Sequence, residues 1–196
     1  MKRSNDRILT THVGSLIRPK ALLDSVRDEA AHERTLPPAI MAIVARQAKA
    51  GVDIVNDGEF GKSGWANYIL ERTSGFEARP GTFYPADWLG RDRERFRDFM
   101  AEQFPRAVTG TPGHACVAPI TYQGHAIVRR DLANLQAAAT AVPVTETFYT
   151  AVAPASVGYD ARNEHYGSDG GEGLRIALTR FAHRGIATEC CLWIEQ

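Results

Sequence analysis

Short β-branched apolar runs alternate with stretches of helical spacing along the first third of the chain, and this alternation predicts its elements. Val52, Ile54 and Val55 form a run of the kind that parallel sheets bury on both faces. Ile8-Leu9-Thr10-Thr11-His12-Val13 forms another. Between them, Pro37 to Gly51 has proline near a helix start, apolar residues at helical spacing and glycine just past the end. Strand, helix and strand in this order predict one βαβ unit with a right-handed crossover. Further strands are expected at Cys116 to Tyr122, at Phe148 to Ala153 and at the extreme C-terminus. From about Glu71 to Gly113 the pattern lapses, and this stretch reads as an insertion. Within it, Arg91 to Met100 spaces Phe96, Phe99 and Met100 along one stripe of a mixed-charge, solvated helix. Leu174 to Ala182 can form an amphipathic helix.

Candidate chemistry gathers where the first two strands end. The run through Val55 delivers Asp57-Gly58-Glu59 into a glycine-punctuated turn, and the run from Ile8 ends in His12-Val13-Gly14-Ser15. In parallel α/β folds, loops after strand C-termini carry the chemistry, because a rigid strand aims the residue while the loop is free to vary. His12 and Asp57 are the candidate catalytic residues: in contact, Asp57 would orient the imidazole and raise its basicity, making a general-base pair. His125 reads as a solvent-exposed turn residue, and His165, although it follows the strand ending at Ala153, is not assigned a role.

The same residues carry a family resemblance. Thr10 to Ser15, the entry Gln47 to Val55, and Asp57-Gly58-Glu59-Phe60 followed by Trp65-Ala66-Asn67-Tyr68 resemble the catalytic barrel of cobalamin-independent methionine synthase, and most of all its single-domain methionine synthase II-like relatives. Ala151 to Val157 is similar to that family's third-strand segment, and the likeness runs from about Ile8 to Ser168. It implies a (β/α)8 TIM-barrel type of α/β fold, a zinc-activated thiol as nucleophile and a folate-borne methyl group as electrophile. By the resemblance, the backbone at Val13 and Gly14 and the hydroxyl of Ser15 hold the carboxylate of a thiol amino acid, and Glu59 takes its ammonium. A carboxylate at a desolvated strand end suits an ammonium, and backbone N–H groups beside a hydroxyl suit a carboxylate. His12 stands where the methionine synthases proper have threonine and Asp57 where they have histidine, so the acceptor thiol is homocysteine or another thiol.

Length and metal ligands limit the resemblance. A (β/α)8 barrel typically needs about 250 residues, whereas this chain has 196. The expectation is an incomplete barrel, about its first half, forming a single domain over residues 1–196 with an insertion at about 71–113. From about Gly170 the tail departs from the family pattern, as a divergent helix and strand or as an out-of-frame terminus. The resemblance implies zinc held by a His-x-Cys pair, a Glu and a further Cys. His114-Ala115-Cys116 matches the bare spacing but precedes the strand at Val117, whereas the family's pair lies well beyond Ser156. It reads as a loop histidine beside a small buried cysteine, and no metal ligand is assigned. Adjacent Cys190 and Cys191 bind one metal poorly. Trp65, Tyr84 and Trp88 are candidates to line a pocket for a flat ligand such as a pterin.

Composition bounds the rest. Lys and Arg number 23 and so do Asp and Glu, which offers no electrostatic argument for nucleic acid or an anionic membrane. No apolar run approaches the roughly 20 residues of a membrane span, and the first seven residues lack the apolar core of a signal peptide. Three cysteines, an odd count, argue against a disulfide framework and for a reducing cytoplasm. The resemblance implies a methyltransferase that moves a folate-borne methyl group to a thiol; the alternative is a truncated, inactive barrel that keeps an amino-acid clamp, or half of an oligomeric barrel. A half barrel leaves edges and apolar faces uncovered, which favours self-association.

Overall fold

The structure, a computed structural model, describes residues 2–64, 67–79, 91–92, 94–103, 113–152, 161–167 and 193–194. Trp65, Tyr84, Trp88, the segment from Ala153 to Val157, the tail helix at 174–182 and the Cys190-Cys191 pair lie outside the described residues, as does the side chain of Met100. The chain forms two compact units, one of Met1–Trp65, Gly124–Ala151 and Ile186–Gln196, the other of Ala66–Gln123 and Val152–Gly185.

The first unit holds α1 (Lys20–Ser25), α2 (Glu29–Lys49), β1 (Ile54–Val55), α5 (His125–Thr140), β4 (Glu146–Phe148) and β6 (Trp193–Ile194). Its sheet runs β1-β4-β6, with β1 parallel to β4 through Ile54 opposite Glu146 and Val55 opposite Thr147, and β6 antiparallel to β4. The segment expected to form the first strand, from Ile8, contributes one parallel bridge, Thr11 to Ile54. Its outer face stays wet, with Ile8 84% and Val13 70% exposed. What fixes this segment is polar: Asp53 accepts from Arg7, from the Thr10 amide at 2.8 Å and from the Thr10 hydroxyl at 3.0 Å. These bonds hold the Asp53 carboxyl well below the usual carboxylate range, the Arg7 hydrogen bond being the largest cause.

Helix α2 is longer than the sequence pattern predicts. Asp28 caps it by accepting from the Ala31 amide at 3.0 Å, so it begins at Glu29, and Pro37 and Pro38 fall inside it. Each proline removes a donor to the carbonyl four residues earlier. Those carbonyls belong to Glu33 and Arg34, both exposed residues. The predicted end is where it was expected: Gly51, at φ +83°, donates to Ala48 while Val52 donates to Gln47, a Schellman closure that only a left-handed residue completes without strain. The buried stripe Leu36, Ile40, Ile43 and Val44 packs toward α5, whose Val128, Leu135 and Ala138 are equally buried.

The second unit holds α3 (Asn67–Leu70), β2 (Thr73–Arg79), α4 (Arg97–Gln103), β3 (Gly113–Tyr122) and β5 (Ala161–Asn163). Its sheet runs β2-β3-β5, with β2 antiparallel and β5 parallel to β3. The region read as an insertion carries a full strand, β2. The strand expected from Cys116 begins at Gly113, so His114 is a strand residue rather than the loop histidine expected. The register of β2 shifts at Gly75, whose φ is +89° and where an added Cβ would stand 2.6 Å from the Ala118 carbonyl oxygen. Phe96 and Phe99 are half-exposed, at 51% and 57%, so the expected stripe is not a buried one. Among the described residues there are two three-stranded sheets and no closed barrel.

Candidate functional site

The site belongs to the first unit and is built on the turn that follows β1. Asn56, fully buried, organises it. Its backbone exchanges bonds with the Gln47 side chain of α2, donating to Oε1 at 3.3 Å and accepting from Nε2 at 2.8 Å. Its own side chain accepts from the Gly58 amide at 2.8 Å and donates to the His12 carbonyl. One residue thus ties the helix, the turn and the N-terminal segment together.

Beyond Asn56 the backbone turns through two successive left-handed residues, Gly58 at φ +65° and Glu59 at φ +60°; Glu59 is the one non-glycine residue with positive φ among those described. That conformation costs a side-chain-bearing residue about 1–2 kcal/mol. Several bonds hold it: the Glu59 amide donates to Asp57 Oδ1 at 3.0 Å, and Arg18 donates to the carbonyls of Glu59 and Lys62 at 2.7 and 2.8 Å. Leu16 closes the loop by donating to the Gly58 carbonyl at 3.0 Å. Backbone strain retained by so many partners marks a functional candidate.

Two of the predicted binding residues meet. Ser15 donates to Glu59 Oε2 at 2.6 Å, and Thr150 donates to Glu59 Oε1 at 3.1 Å. Lys62 lies beneath, 5% exposed, with its Nζ 3.9 Å from Oε1 and 4.4 Å from the centre of the Tyr149 ring. Gly14, at φ +103°, has open space on its Cβ side. Within the described residues, neither its amide nor that of Ser15 has a backbone acceptor. Val13 points to solvent and contributes backbone alone.

The two candidate catalytic residues do not share a hydrogen bond. His12 donates from Nε2 to the Gly14 carbonyl at 3.0 Å, which sets the tautomer and turns the ring back on its own loop. Asp57 is fully buried; Oδ1 serves the Glu59 amide and Oδ2 has no partner among the described residues. Burial pushes the Asp57 carboxyl up, opposed by the nearby Lys62 charge and reinforced by Asp131 and Glu59. Asp131 is itself fully buried, takes hydrogen bonds from Arg130 and from the Tyr149 hydroxyl at 3.2 Å, and lies 3.4 Å from where a Cβ on Gly61 would be.

Zinc does not fit the described residues. No group of three or more His, Cys, Asp or Glu among them could hold a metal ion. His114 and Cys116 stand in β3 of the other unit, where burial lowers the imidazole pKa and raises that of the thiol. The residues that sequence reasoning missed are Asn56, Lys62, Thr150 and Arg18. Lys62 follows Glu59 by three residues, a spacing that could have drawn notice; Thr150 carries no local signal.

No protein-family model matches the chain. A stretch of 85 residues, 40% of this chain, is 36% identical to the uncharacterized protein YxjH of Bacillus subtilis strain 168, of which it covers 22%. Among solved structures, a B12-independent methionine synthase from Shewanella sp. W3-18-1, in complex with selenomethionine, matches 92% of this chain at a TM-score of 0.65 and 20% identity. A Listeria monocytogenes protein assigned as a vitamin-B12-independent methionine synthase matches the same share at 0.58 and 18%. The chain has the fold of part of these TIM-barrel enzymes. It spans 47% and 49% of their lengths. No helix among the described residues is long and apolar enough to cross a membrane.

Proposed function

We propose that this chain binds a sulfur-containing α-amino acid and serves as the amino-acid-binding part of a methionine-synthase-type methyltransferase. The observation that carries the reading is the Ser15–Glu59 contact at 2.6 Å, which places a buried carboxylate beside a hydroxyl and unused backbone amides. Glu59 takes the α-ammonium, and Gly14 and Ser15 take the α-carboxylate through N–H and O–H donors. When ammonium arrives at Oε2, the Ser15 hydroxyl turns from Glu59 to the incoming carboxylate, so one rotation satisfies both poles of the zwitterion. The fold shared with a synthase that holds selenomethionine supports this choice of ligand.

The further parts of this reading are a thiol such as homocysteine as acceptor, a folate as methyl donor and a cytoplasmic setting. His12 sits at the loop that would meet the substrate, held to Gly14. Asp57 lies buried under the turn, where burial pushes its carboxyl pKa up. A metal-free binding module is the second reading, favoured by a Ser15–Glu59 contact that forms without any metal. Calorimetric titration with methionine, with and without one equivalent of zinc, separates the two. Affinity that depends on zinc supports the enzyme, metal-independent binding without turnover supports the module, and no binding under either condition ends both.

A further inference from the structure

The bonds around Glu59 are not equivalent at its two oxygens. An ammonium has donors and no acceptor, and Lys62 Nζ directs two of its donors at the carbonyl oxygen and the hydroxyl oxygen of Thr150. The Thr150 hydroxyl, accepting from Lys62, has one proton left to give, and Glu59 Oε1 stands 3.1 Å away to receive it. The direction of every bond in this relay is therefore fixed. Lys62 is buried at 5% exposure, and its charge lies over the Tyr149 ring, whose hydroxyl is engaged by Asp131. On the other oxygen, Oε2, the donor is the exposed Ser15, a short side chain free to rotate.

We infer that Lys62 and Thr150 are positioning residues that lock Glu59 Oε1 from beneath and leave Oε2 as the oxygen that meets an α-ammonium. The inference rests on the amino-acid reading above and deepens it. With Oε1 saturated by an internal donor and an internal cation, the carboxylate cannot swing, and the ligand's ammonium competes with one exchangeable serine hydroxyl rather than with a buried lysine. Preorganisation of this kind improves affinity by reducing the ordering left to the ligand.

The test compares methionine with its deaminated analogue, which keeps the thioether and carboxylate but lacks the ammonium. Thr150→Val has nearly the same shape and removes the relaying hydroxyl. It should weaken methionine about tenfold while leaving the analogue unchanged, and Thr150→Ser should restore binding. Lys62→Met should reproduce the selective loss. Equal weakening of both ligands, or no change in either, would overturn the inference. If the unsubstituted protein binds no amino acid, the proposed function falls, and the relay is then judged without ligand by a double-mutant cycle of Glu59→Ala with Thr150→Val in urea unfolding. Non-additive effects support the relay, and additive ones refute it.

Discussion

Replacing Asn56 by alanine tests how the turn that carries Glu59 is held. The amide side chain makes two bonds, accepting from the Gly58 amide at 2.8 Å and donating to the His12 carbonyl. Gly58 is buried, so its orphaned N–H bears a desolvation penalty of about 1–3 kcal/mol. The His12 carbonyl belongs to a half-buried residue with access to water, and its loss is worth about 0.5–1 kcal/mol. Together these give a destabilisation of about 1.5–4 kcal/mol, a large part of the roughly 5–15 kcal/mol that a domain has. The backbone bonds to Gln47 survive, so the helix α2 contact remains and the damage should stay local. Urea unfolding reads the total, and hydrogen exchange at the amides of Gly58 and Leu16 reads its location, since Leu16 donates to the Gly58 carbonyl. Both amides should exchange much faster in the variant. A loss below about 0.5 kcal/mol, the ordinary size of a surface substitution, with unchanged exchange would refute the role given to Asn56.

Two further substitutions probe charge and backbone. The folded-state pKa of Asp57 is raised above its ordinary 3.8 by burial, so the native chain holds a proton that the unfolded chain releases, and the stability due to this group is fully present below that ordinary value and lost as pH rises through the raised one. Asp57→Asn cannot titrate, so in a series of thermal melts its stability relative to the parent should grow as pH rises from about 4 and level off above the raised pKa; a difference that stays flat with pH would contradict the assignment. Gly75→Ala adds a Cβ 2.6 Å from the Ala118 oxygen at φ +89°, which at about 1–3 kcal/mol for overpacking and 1–2 kcal/mol for the left-handed backbone should cost about 2–5 kcal/mol in urea unfolding; a cost under about 1 kcal/mol would mean that the β2 bulge is not glycine-dependent.

What the sequence made legible was local. The glycine that ends α2, the strand at Ile54 and Val55, of which Val55 alone is buried, and the acidic step after it all follow from neighbouring residues and were readable from them. The start of α2 was not, because a proline pair is a strong local start signal and the Asp28 cap upstream overrode it. Strand β2, Thr73–Arg79, has a glycine at its register shift and polar residues on both faces, so no period-two pattern announced it; its pairing with β3 defines it. Ser15 and Glu59, which share a hydrogen bond, were singled out because the resemblance names both. Lys62 and Thr150 were not, since their bond joins residues 88 positions apart and the Thr150–Glu59 bond joins residues 91 apart. Contacts of that separation leave no trace in spacing. The His12–Asp57 pair was a reasonable chemical guess from two strand ends, but each side chain is directed to its own loop instead.

The central claim is that Glu59 is the ammonium pole of an amino-acid site. Its most direct measurement is calorimetric titration of methionine into the parent chain and into Glu59→Gln, which keeps the shape but loses the charge and turns one acceptor oxygen into a donor amide. A hydrogen bond between two ionised groups contributes about 1.5–3 kcal/mol, so the substitution should weaken binding about 10- to 100-fold. Equal affinity in the two proteins, or no methionine binding by the parent, would contradict the account.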